Sequence, residues 1–172
     1  MRAPAMIALS GLTLALAACG TTSQPGMALG EASTGSPQPV EGFDWVLHQD
    51  GDMAKLAYGV DETDNTPIQL LCERTSGQLT LNAEVANDAA HEFHLESGGE
   101  TERYPARAER GEPEEIFGNV LFLNAEAKTS DPVFLRFRRV AWLAVWQHGE
   151  RHAFASHPGS EQRVERFFAF CG

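Results

Sequence analysis

Short segments in which polar and apolar residues alternate, separated by turn residues, recur through most of this sequence. Residues 43–47 and 54–58 flank Asp50-Gly51, a dipeptide typical of a tight hairpin turn. The alternation continues in three further strand-like segments, residues 68–72, 79–85 and 93–95. Because strands joined by such short turns run in opposite directions, the pattern restricts the chain to a mainly antiparallel sheet.

The later strand-like segments are less regular. Residues 103–106 predict a weak sixth strand, and we expect it at an edge of the sheet because Pro105 cannot donate a ladder hydrogen bond. Residues 120–123 are apolar on both faces, which predicts a central strand. Residues 142–154 predict a hairpin that turns at Gly149.

Two segments have helical character. Asp131-Pro132 is typical of an N-cap followed by the first helical residue. A helix from there places four apolar side chains together (Val133, Phe134, Phe137 and Val140), although a strand with Val133, Leu135 and Phe137 on one face fits nearly as well. Pro158-Gly159-Ser160 precedes a second helix, in which Val164, Phe167, Phe168 and Cys171 form an apolar stripe with helical spacing.

These elements predict an α+β fold. We expect a mainly antiparallel β-sheet of about seven to nine strands with one or two helices, the C-terminal helix packed on the sheet. The residues that form it, 41–172, are expected to make a single globular domain.

The first 18 residues have the features of a signal peptide. Arg2 precedes an apolar stretch that is shorter than the roughly 20 residues needed to span a bilayer core. The following Leu16-Ala17-Ala18-Cys19 resembles the lipobox of bacterial lipoproteins. In that class the signal peptide is removed and the cysteine is acylated, so the resemblance implies that Cys19 is lipidated. The alternative is ordinary cleavage after Ala15-Leu16-Ala17.

The resemblance covers residues 1–19, and beyond them the chain is similar only to uncharacterised envelope lipoproteins. Residue 20 is Gly rather than the Asp that retains lipoproteins in the inner membrane, which favours the outer membrane, facing the periplasm. Fifteen of the 21 residues from Gly20 to Val40 are Gly, Ser, Thr, Pro or Gln. Residues 19–40 are therefore predicted to be the lipidated cysteine and a flexible linker.

The remaining two cysteines form an even pair, Cys72 and Cys171. Cys72 shares a strand face with Ile68 and Leu70, and Cys171 lies on the apolar stripe of the last helix. In a compartment that oxidises thiols we expect a disulfide between them. The alternative is two buried free thiols.

Few residues in the sequence have the spacing of a catalytic or metal-binding site. His148 and His152 flank Gly149 and could meet across a three-residue hairpin, with His157 as the available third ligand; the alternative is exposed turn histidines. His91 and His94 would point to opposite faces of a strand. Because nothing resembles a nucleophile–base pair, we predict no resident metal, no cofactor and no enzymatic activity.

The charged residues limit the kinds of partner that the chain can bind. The chain carries 24 acidic and 13 basic residues, a formal net charge of −11, which opposes binding to nucleic acid. The basic cluster Arg136, Arg138 and Arg139 fits either an anionic headgroup or glycan, or pairing with nearby acids.

Three hypotheses of function follow. The first is a membrane-anchored, non-enzymatic binding or accessory module for a periplasmic or cell-surface protein. The second is an inhibitor of a basic hydrolase such as lysozyme, since an acidic surface steers a cationic partner. The third is a hydrolase with an unrecognised site at His148, His152 and His157.

Overall fold

The structure, a computed structural model, describes residues 35–63, 65–85, 91–110, 121–147 and 149–172. Within them the chain forms nine strands and two helices, and the predicted α+β fold is confirmed. The strands are β1 (Asp44–Asp50), β2 (Met53–Gly59), β3 (Ile68–Glu73), β4 (Gln78–Val85), β5 (Glu92–Ser97), β6 (Glu100–Arg110), β7 (Leu121–Lys128), β8 (Trp142–Gln147) and β9 (Glu150–Ala155). The helices are α1 (Pro132–Val140) and α2 (Glu161–Cys171).

All nine described strands belong to one sheet in the order β1-β2-β3-β4-β7-β6-β5-β8-β9, and every neighbouring pair is antiparallel. β7 lies between β4 and β6, as its apolar sequence predicts. The sheet curls until its two edge strands meet: the indole Nε1 of Trp45 on β1 donates to the backbone carbonyl of Phe154 on β9 at 3.2 Å. The sheet thus nearly closes on itself.

The prediction that the sixth strand lies at an edge is wrong. β6 pairs with β5 up to Pro105 and with β7 from Ala106 onward, so it is an interior strand. The backbone N–H of Ala106 donates to His91 O at 2.8 Å on the β5 side. Because backbone groups alternate along a strand, the nitrogen of Pro105 faces the β7 side, just before that ladder begins. The proline therefore replaces no ladder hydrogen bond.

For residues 132–140 the helix is confirmed and the strand alternative is wrong. A strand would bury Leu135 beside Val133 and Phe137, but the side chain of Leu135 is 48% exposed. Phe134, which a strand would turn outward, is fully buried with Val133 and Phe137. The helical period is the one that places all three large side chains in the core.

The C-terminal helix α2 packs on the sheet as predicted. The side chains of its apolar stripe are all buried (Val164, Phe167, Phe168 and Cys171). At its C-terminus, the carbonyls of Phe170 and Cys171 accept hydrogen bonds from the backbone of Thr75 and Gly77, at 2.9 and 2.8 Å. The β3–β4 turn therefore satisfies the helix-end carbonyls that have no partner inside the helix.

The structure contains the disulfide between Cys72 and Cys171, with a Cα–Cα distance of 5.8 Å. It joins the last residue of α2 to β3, next to the turn that caps the helix. The disulfide fixes α2 across the sheet.

Both helices lie on the concave face of the sheet, where they share one core with its inward side chains. Trp45 of β1 is fully buried there and packs against Phe137 of α1, with ring centroids 4.9 Å apart. Neither of the described helices is long and apolar enough to span a bilayer. Cys19 and the predicted signal peptide lie outside the described residues.

Candidate functional site

Of the three histidines that the sequence suggests as weak metal ligands, the structure describes His152 and His157, which have different surroundings. Gln147 pairs with Glu150, so the β8–β9 turn has two residues rather than the expected three. His148 lies outside the described residues. His152 pairs with Val145 and lines a small cavity of about 130 Å³ at one end of the sheet. His157 is elsewhere, with its Nε2 3.0 Å from the carbonyl of Val40.

Nothing in the described part of the chain gathers three metal-ligand side chains into one group. One member of the arginine cluster of α1 pairs with a nearby acid. Arg138 forms a two-pronged ion pair with Glu165 of α2, with its Nε 2.8 Å from the carboxylate. This hydrogen bond holds the pKa of Glu165 below its usual value. Arg136 donates to the carbonyl of Gly98 at 3.1 Å.

The convex face of the sheet carries an arrangement that the sequence reasoning missed. Four residues on four adjacent strands lie in register: Arg103 of β6 pairs with His94 of β5, His94 with Trp146 of β8, and Trp146 with Arg151 of β9. We call these four residues the convex row. Two guanidinium groups therefore flank an imidazole and an indole across the outside of the sheet, where side chains of directly paired residues contact one another.

A buried carboxylate lies beneath this row. Glu96 of β5 has no solvent exposure, and both of its oxygens accept hydrogen bonds from Arg151, at 2.9 Å from Nε and 3.0 Å from Nη2. The indole Nε1 of Trp146 donates to the same carboxylate at 3.1 Å. Because a buried charge needs a paired and hydrogen-bonded environment, Glu96 fixes the side chains of both residues.

Trp142, a second tryptophan, packs against the guanidinium of Arg151. The guanidinium carbon of Arg151 lies 5.2 Å from the ring centroid of Trp142, a cation–π geometry. Trp142 is 3% exposed and packs with Ala144 and Ala155 in a small apolar cluster on the convex side. Arg151 is thus held by a carboxylate and an aromatic ring, and its side chain keeps 17% of its exposure.

The imidazole of His94 stacks beside the indole of Trp146. Its ring lies nearly parallel to the indole of Trp146, at an interplanar angle of 19° and a centroid distance of 5.8 Å. Burial, together with the neighbouring Arg103, lowers the pKa of His94 and so favours the neutral imidazole. Arg103 in turn forms an ion pair with Glu92.

The convex row and its two carboxylates, Glu92 and Glu96, carry balanced charges in a chain of net charge −11. Trp146 and His94 are both partly exposed. Aromatic and arginine side chains are enriched in binding surfaces, and their contribution is greatest where their conformations are already fixed. The arrangement is suited to holding a partner rather than to transferring a proton or a group.

Weak signals for this site exist in the sequence. Glu92, His94 and Glu96 alternate with the apolar Phe93 and Leu95 of β5, and Trp142, Ala144 and Trp146 alternate with the core residues of β8. Neither signal identifies the residue that the buried carboxylate would pair with.

Comparisons of the chain with protein-family models, with curated proteins and with solved structures found no significant match.

Proposed function

We propose that this chain is a lipid-anchored protein of the bacterial cell envelope whose folded domain is a non-enzymatic binding module. Its anchor is the acylated Cys19, in the outer membrane and facing the periplasm. Its partner is a periplasmic or cell-surface protein, which binds to the convex row.

Two features support the location. The first is the lipobox-like Leu16-Ala17-Ala18-Cys19 that ends an apolar N-terminal stretch. Two or more acyl chains on one residue are enough for stable anchoring, at about 0.8 kcal/mol for each buried CH₂ group. The second is the Cys72–Cys171 disulfide, because such bonds persist in oxidising compartments such as the periplasm.

The observation that carries the binding proposal is the partly exposed indole of Trp146, held in place by the buried Glu96–Arg151 pair. Tryptophan and arginine dominate the binding energy of protein interfaces. A rigid sheet face that holds both in fixed conformations loses little side-chain entropy when a partner docks.

A second candidate function is inhibition of a basic hydrolase such as lysozyme. The observation in its favour is the net charge of −11, which raises the encounter rate with a cationic protein. The charge balance of the convex row points the other way, since it adds no attraction for a basic partner. Identification of the partner distinguishes the two candidates.

The test is photo-crosslinking of the full-length protein in cells of its own source. A photoreactive phenylalanine analogue replaces Trp146 in one variant and Leu135 in the other. Leu135 is the matched control because its apolar side chain is 48% exposed on α1, away from the convex row. We expect a discrete adduct with one envelope protein at position 146 and none at position 135.

Binding measurements with the purified partner then show how much Trp146 contributes to the affinity. Trp146→Ala is expected to weaken its binding about 30-fold, the effect of an interface hot spot of about 2 kcal/mol. Leu135→Ala should leave the affinity unchanged. Equal crosslinking at both positions, or no adduct at position 146, would contradict the proposal; an adduct with lysozyme would establish the second candidate instead.

A further inference from the structure

His94 lies inside the convex row, between a cation and an aromatic ring. It pairs across the sheet with Arg103 on one side and with Trp146 on the other. Its imidazole lies nearly parallel to the indole, and the two ring centroids are 5.8 Å apart. Because rings at this separation form one contact surface, a partner that covers the indole of Trp146 also covers the imidazole.

The ring nitrogens of His94 are open to such a partner. Within the described part of the chain, no protein group forms a hydrogen bond with either nitrogen, and the residue is partly exposed. By contrast, the guanidinium of Arg151 and the indole N–H of Trp146 are already bonded to Glu96. The protonation state of the imidazole can therefore respond to what covers it.

The charged groups that face His94 already have partners of their own. Glu92, on the same strand, pairs with Arg103 of β6. Glu96, also on β5, accepts hydrogen bonds on both oxygens from Arg151 of β9. Neither carboxylate is left unpaired for an imidazolium, so a proton on His94 would add a third positive charge to a row that already holds two guanidinium groups.

In the free protein the cost of this charge is limited, because water still reaches the ring. Burial, followed by the charge of Arg103, lowers the pKa of His94, whereas Glu92 and Glu96 oppose that shift. A docked partner removes the remaining water from the imidazole. Since a buried charge without a counter-ion is strongly disfavoured, docking lowers the pKa of His94 further.

We propose that partner binding to the convex row and protonation of His94 exclude each other, so that the row releases its partner as the surroundings become acidic. This inference rests on the proposed binding function of the row. Because binding and protonation are linked, the affinity is complete above the pH range in which His94 of the free protein titrates. It is lost as the pH falls through that range, by at most about tenfold for each pH unit.

The test measures the affinity of the full mature chain for the envelope protein that is crosslinked at position 146, at about pH 7.5 and about pH 5. Wild type is expected to bind about fivefold more weakly at the acidic pH. His94→Gln keeps a planar polar side chain that takes up no proton, so this weakening should disappear. His152→Gln is the matched control, because it removes an imidazole from the other face of β9 and should keep the fivefold change.

NMR of the His94 imidazole gives a second readout, and the ring should become protonated at a lower pH in the complex than in the free chain. Equal affinity of wild type at both pH values, or the same pH dependence in His94→Gln, would overturn the inference and leave the binding function intact. Tighter binding in acid would also overturn it, because the partner would then supply a carboxylate to the imidazolium. Failure to capture any envelope protein at position 146 would instead contradict the binding function itself.

Discussion

Replacing both Cys72 and Cys171 by alanine is expected to lower the free energy of unfolding by about 4 to 5 kcal/mol. The disulfide joins residues separated by 99 positions. In the chain-entropy model, a loop of this size restricts the unfolded chain by about 4.7 kcal/mol. A single domain has a total stability of roughly 5–15 kcal/mol, so the double variant should be close to unfolding at 37 °C.

Urea denaturation of the double variant and of the wild type, each with and without dithiothreitol, measures this effect. Reduced wild type keeps both buried sulfur atoms and loses only the covalent bond, which makes it the control for lost packing. We expect reduced wild type and the double variant to unfold at similar urea concentrations. A reduced protein that is less than about 1 kcal/mol weaker than the oxidised one would contradict the structural role of the disulfide.

The second large effect is expected at the buried carboxylate of the convex face. Glu96→Leu leaves the guanidinium of Arg151 without its carboxylate and the indole of Trp146 without its acceptor. Breaking a buried ion pair on one side costs about 3–5 kcal/mol. We expect the lower end of that range, about 3 kcal/mol, because the side chain of Arg151 is 17% exposed and water can reach it.

The matched control removes both charges together. In Glu96→Leu/Arg151→Met no charge is left without a partner, and we expect stability within about 1 kcal/mol of wild type by urea denaturation. The double variant should nevertheless bind the purified partner more weakly, because nothing then fixes the indole of Trp146. If the double variant were as unstable as Glu96→Leu alone, packing rather than charge pairing would explain the effect.

The strand content was predictable because local patterns determine it. Alternating residues and Gly-containing turns identified β1–β5 and the β8–β9 hairpin, and helical spacing identified α2. Residues 132–140 could not be assigned from the sequence alone, because Val133 and Phe137 lie on one face in either structure. The exposure of Leu135 in the folded protein, which depends on what packs against the segment, decides for the helix.

The position of β6 in the sheet could not be predicted for a different reason. Proline is a reliable sign that a strand lacks one donor, but it does not say on which side of the strand the donor is missing. At Pro105 the missing N–H faces the point where pairing with β7 has not yet begun. The strand can therefore lie inside the sheet, which only the order and register of its neighbours reveal.

The convex row could not be predicted from the sequence either, because it depends on the order and register of the strands. Its members come from four strands, and β5 pairs with β8 across about fifty residues of intervening chain. Hydrophobic periodicity shows which face of a strand is buried, but not which strands are neighbours or how they are aligned. The pairing of Glu96 with Arg151 depends on both.

We propose that a disulfide-closed domain is anchored in the envelope through Cys19. Intact mass of the protein purified from its own membranes, before and after reduction and alkylation, tests it most directly. We predict the mass of a chain that begins at Cys19 and carries two or three acyl chains, with Cys72 and Cys171 alkylated only after reduction. An unlipidated chain, or thiols that are alkylated without reduction, would contradict the claim.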